Sequence, residues 1–142
     1  MKKVIIIIIS SIFIIGLGIV EGNDDVLVNK IKEIIKSDKP NYEEAISLSN
    51  KIKNETYRNA YSDQVYWKWS TFLSEKDKYK KSIYLLSNVN NETYKNAYSD
   101  QVYLKWVNYL KKEGSKDKNK MKEIASKIQN EDTRKAMLER IK

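Results

Sequence analysis

An all-α fold is what this sequence predicts, arranged as about three stacked antiparallel helical hairpins of 37–39 residues behind an N-terminal apolar segment. Residues 54–73 (NETYRNAYSDQVYWKWSTFL) and 91–110 (NETYKNAYSDQVYLKWVNYL) are identical at fifteen of twenty positions, at an offset of 37. Four glycines and one proline leave little to interrupt long helices and too few turn formers for a many-stranded sheet. Through the repeated blocks, apolar residues recur at steps of three and four, which is the spacing of one helix face.

The first element is an address. Lys2 and Lys3 precede an apolar run of 17 residues from Val4 to Val20, and Glu21, Asp24 and Asp25 follow at once. Positive charge, an apolar stretch and then small residues is the order of a secretory signal peptide, with tolerable cleavage points after Gly18 and Gly22. The run also reaches the lower limit for spanning a bilayer, so an uncleaved anchor formed by residues 4–20 is the rival expectation. Both readings divide the chain into a signal peptide or anchor over 1–22 and a helical-repeat domain over 23–142. Both also place that domain outside the cytoplasm, in the periplasm or extracellular, or anchored to the inner membrane.

A helix over about 25–37 carries Val28, Ile31, Ile34 and Ile35 on one face and is expected to close the N-terminal end. The units then run over about 40–76, 77–116 and 117–142. Each pairs a short helix (about 41–52, 78–89 and 118–129) with a longer one (about 55–75, 92–113 and a terminal 131–141). Asn41, just after Pro40 and three places before Glu44, has the spacing of a capping box. Asn54, Asn91 and Asn130 sit where an N-cap would accept free first-turn amides, and Glu55, Glu92 and Glu131 suit the positive end of the helix dipole. Asn-Glu-Thr at 54–56 and 91–93 is also a glycosylation sequon. The cap is preferred, because the third copy (NEDTRKAMLERI, from Asn130) keeps the asparagine and loses the threonine spacing.

The long helix has two apolar faces. Tyr57, Tyr61, Val65, Trp69 and Phe72 form one stripe, matched by Tyr94, Tyr98, Val102, Trp106 and Tyr109, while Ala60 and Trp67, matched by Ala97 and Leu104, lie on another side. A helix buried on two sides is what the inner element of a stacked array needs. Core packing is the expected role of these aromatics, and a stacking platform for sugars or bases is the alternative. On this hairpin architecture, this repeat length and the small alanines between aromatics, residues 25–142 resemble the helical-hairpin repeat class, of which tetratricopeptide arrays are the nearest type. What the resemblance implies is a scaffold that binds partners on a concave face.

Composition removes much ordinary enzymology. With no cysteine there is no disulfide, thiolate metal site, cysteine nucleophile or acylated lipoprotein cysteine, and with no histidine the commonest general base and metal ligand is gone. No phosphate loop, nucleotide fingerprint or metal-ligand cluster is present, so neither a cofactor nor an enzyme is expected. Asp63 and Asp100 are the plausible acid/base groups, yet equivalent exposed positions give nothing to drive their pKa values apart. The net charge is +8, with lysines grouped at 76, 78, 80 and 81 and again at 111, 112, 116, 118, 120 and 122. The leader argues against a nucleic acid as their partner. Anionic envelope polymers or lipid headgroups are the alternative to a protein partner, and simple solubilisation would also account for them.

One stripe of the long helix is claimed by neither apolar face: Asn59, Ser62, Asp63 and Tyr66, repeated identically as Asn96, Ser99, Asp100 and Tyr103. The short-helix segments 40–53 and 77–90 share only three of fourteen positions, so identity concentrates on a stripe expected to face solvent. Two explanations stand: a recent partial duplication, or a ladder of binding groups presented twice to a protein partner.

Overall fold

A computed structural model of the chain describes residues 22–142. The apolar segment at 4–20, expected as signal peptide or anchor helix, lies outside the described residues. Among the described residues no helix is long and apolar enough to cross a membrane.

These residues form seven helices and no strand: α1 (Gly22–Lys36), α2 (Tyr42–Ser49), α3 (Glu55–Ser74), α4 (Tyr79–Leu86), α5 (Glu92–Lys112), α6 (Lys118–Ser126) and α7 (Glu131–Arg140). The expected caps are present. The side chains of Asn54, Asn91 and Asn130 accept from the amides of Tyr57, Tyr94 and Thr133 at 3.1, 3.1 and 2.9 Å. Asn41 accepts from the Glu44 amide while its own amide group donates to the Glu44 carboxylate, the reciprocal pattern of a capping box. Two of the three arginines fasten the turn behind a cap: Arg58 donates to the Ile52 carbonyl, and Arg134 to that of Ile128.

The short helices stop about three residues before the sequence suggested. After Ser49, Leu86 and Ser126 the backbone tightens into i to i+3 turns, such as Ile52 N–H to Ser49 O and Val89 N–H to Leu86 O. That tightening drives Ile52, Val89 and Ile128 inward, where each is buried. Hydrophobic periodicity ran on through these residues because they are core, although they are no longer helix.

Each short helix packs between two long ones. Tyr42 on α2 stacks on Trp69 of α3 with ring centroids 5.8 Å apart and an 11° interplanar angle. Tyr79 on α4 repeats this on Trp106 of α5 with the same separation and angle. Such offset stacks add about 0.5–1.5 kcal/mol beyond the area they bury. The second long-helix face meets the next long helix, where Trp67 of α3 stacks on Tyr98 of α5 at 5.1 Å. In the following interface Leu104 and Met137 belong to one hydrophobic cluster in the corresponding places. Another substitution runs along the array. Ser70 and Ser82 share a buried 2.6 Å hydrogen bond between α3 and α4, where the neighbouring units bury Ile31 with Ala45 and Val107 with Met121.

The loop after each long helix closes in the same way. Lys78 N–H reaches Leu73 O, and Ser115 N–H reaches Leu110 O, with Asp77 (φ 59°) and Gly114 (φ 70°) taking the left-handed position. At its other end the array departs from expectation. Helix α1 closes the end, but it also packs on α2 and α3 as α3 packs on α4 and α5, the relation a long helix bears to its neighbours.

Candidate functional site

Of the eight residues expected on a solvent-facing ladder, none is fully exposed. Ser62, Asp63 and Asp100 are 8, 4 and 9% exposed, and Asn59, Tyr66, Asn96, Ser99 and Tyr103 are half-buried. The stripe is a third packed face. Asp63 accepts from the backbone amides of Asn90 and Asn91 at 2.6 and 2.9 Å and from the Asn90 side chain at 2.8 Å. Asp100 accepts from the amides of Gln129 and Asn130 at 2.7 and 2.9 Å. Each carboxylate thus clamps the two residues at the entrance to the next long helix, where N–H groups and the helix dipole both favour an anion.

The same clamp occurs a third time. Asp24 on α1, aligned with Asp63 at an offset of 39, accepts from the amides of Lys53 and Asn54. Those two amides hold its carboxyl below the ordinary aspartate value, against the opposing effect of burial. The carboxylate oxygens that looked available for chemistry are therefore occupied in joining one unit to the next. The identity of Asp63 and Asp100 is accounted for by this geometry, because the clamp must be kept wherever a unit follows. The legible signal is an aspartate 28 to 30 residues ahead of the N-cap asparagines of α3, α5 and α7, at 24, 63 and 100.

A different place offers an opening. A shallow groove of about 320 Å³ lies where α5 meets α4 and α6. Its floor is Ile83 from α4, Tyr103 and Trp106 from α5, and Ile124 from α6. Around them stand Lys80, Lys120 and Lys127, with Glu123 as the sole acid. Trp106 is held in place by its stack on Tyr79, whose hydroxyl donates to Asp77 at 2.9 Å. Tyr103 is the member of the expected ladder that reaches this groove. Burial raises the pKa of its hydroxyl, opposed by the Lys127 charge and reinforced by Asp100. Lys127, the C-cap of α6, pairs with Glu123 one turn earlier at 3.1 Å.

The groove lies in the basic half of the protein. Residues 76–142 hold seventeen basic and nine acidic side chains, whereas residues 23–75 hold eight and nine. In the sequence Lys80 and Lys120 fall within lysine runs and Trp106 within the apolar stripe, whereas no pattern marks Glu123 or Lys127. Only the crossing of three helices makes one site of them. Among the described residues no group of three His, Cys, Asp or Glu side chains is placed to hold a metal ion. Comparison with protein-family models, with curated proteins and with solved structures finds no match to this chain.

Proposed function

We propose that this chain is an exported helical-repeat scaffold, tetratricopeptide-like in stacking short and long helices, that holds a protein partner through long helix α5 in the groove it forms with α4 and α6. The observation that carries this reading is the groove floor. Tyr103, Trp106 and Ile83 are half-buried and leave an apolar surface within a polar rim, above the buried Ile124. Such a floor is the usual anchor of a protein-binding cleft. Export is supported by Lys2 and Lys3 ahead of the apolar run and the acids behind it. Cleavage after either Gly18 or Gly22 would keep Asp24 in the exported chain.

The concentration of positive charge in residues 76–142 favours a second reading, adhesion to an anionic envelope polymer or lipid headgroups. A photo-crosslinking residue at position 103, compared with one at the exposed position 108 outside the groove, separates the two. The scaffold reading expects a discrete protein adduct from 103 and none from 108. Retention on envelope material without an adduct, lost between low and moderate ionic strength, supports adhesion instead.

A further inference from the structure

We infer that the groove takes an acidic peptide segment carrying one apolar anchor side chain, an inference that rests on the scaffold reading above and names its partner's chemistry. Charge comes first. Glu123 is paired with Lys127, but among the described residues neither Lys80 nor Lys120 has an acidic partner. Two unpaired ammonium groups therefore flank an apolar floor, in the half of the molecule that holds the whole positive excess. Carboxylates on either side of an apolar side chain complement that order of groups.

The repeat supplies an internal comparison. One unit earlier, Ile46, Tyr66, Trp69 and Leu85 occupy the places of Ile83, Tyr103, Trp106 and Ile124, so the floor is kept as packing demands. The rim is not kept. Glu43 stands for Lys80, Tyr84 for Glu123 and Asn88 for Lys127, with only Lys81 matching Lys120. The lysine rim is thus particular to the α4–α5–α6 groove and was not carried along with the repeat. The rim is therefore what sets this groove apart, and a purely apolar partner would gain nothing from it. A groove of about 320 Å³ also suits a few side chains of an extended segment, not a folded domain.

The test uses the full chain in nonionic detergent and a labelled nonapeptide of four glutamates, one phenylalanine and four glutamates. Saturable binding is expected, weakened about tenfold when the phenylalanine becomes serine and about tenfold or more by Lys80→Glu with Lys120→Glu. Both lysines are exposed, so helicity should be unchanged, and Lys80→Gln with Lys120→Gln repeats the measurement without charge reversal. A peptide with lysines in place of glutamates should bind the Lys80→Glu, Lys120→Glu protein better than the original. Equal binding of the phenylalanine and serine peptides, or inorganic polyphosphate binding as tightly, overturns the proposal in favour of a polyanion surface. Unchanged binding in both lysine variants, or no peptide binding at all, also overturns it. A protein adduct from position 103 that persists beside such a failure leaves the scaffold reading standing, and loss of the adduct as well removes both.

Discussion

The carboxylate of Asp63 is the clearest case of one residue joining two units. Its two oxygens take three donors at the turn before α5, and removing it would strand the amides of Asn90 and Asn91. Asp63→Ala should therefore lower unfolding stability by about 2–3 kcal/mol, the scale of hydrogen bonds to a charged group. Chemical denaturation measures this, and a midpoint equal to that of the parent would show that water replaces the clamp. Tyr98 presents the opposite case, because its buried hydroxyl finds no hydrogen-bond partner among the described residues. Met137 fills the equivalent place in the last unit without any polar group. Tyr98→Phe should be neutral or stabilising by up to about 1 kcal/mol, since an unmade buried hydrogen bond is a cost. Clear destabilisation would reveal a partner for that hydroxyl. The sequence displayed Asp63 and its copies but not their task. A helical wheel separates apolar from polar stripes, and the partner of this polar stripe is a turn in the following unit.

At the scale of elements, local chemistry was legible where it is self-contained. Each asparagine cap acts within four residues, so Asn54, Asn91 and Asn130 could be placed from sequence. The ends of α2, α4 and α6 were not legible, because Ile52, Val89 and Ile128 keep the apolar pattern after the backbone has left the helix. The loops behind the long helices show how one backbone shape tolerates two residues. Asp77 holds the left-handed position and also accepts from Tyr79, whereas Gly114 holds it with no side chain. A Cβ added at Gly114 would meet nothing within 4 Å, so the effect of Gly114→Ala is one of backbone conformation alone. The expected loss is about 1 kcal/mol, from placing an L side chain in the left-handed region. A thermal midpoint unaffected by the substitution would mean that the loop re-forms without a left-handed residue.

Over the whole molecule, the absence of histidine and cysteine decides how stability follows pH. No side chain here has an ordinary pKa in the neutral range, so stability should be flat across it. The acid limit begins with the unit joints. Asp24 is held below its ordinary value by the amides of Lys53 and Asn54, so its contribution is complete above about pH 4 and is lost as pH falls through the lowered value. The alkaline limit lies in the aromatic seams. Tyr98 is pushed up to about 12, first by burial and then by the charges of Tyr94 and Asp63. Tyr79 is pushed up to about 12 by burial and by its bond to Asp77. Above about pH 10 the unfolded chain releases tyrosine protons that the folded chain retains, so unfolding is favoured progressively up to about pH 12. Denaturant midpoints measured from pH 3 to 12 should therefore trace a neutral plateau with falling limbs on both sides. Tyr98→Phe should make the alkaline limb shallower and leave the acid limb where it was. An alkaline limb unchanged by that substitution would mean that Tyr98 ionises as readily in the folded chain as in water, and the seam between α3 and α5 would then be open to solvent.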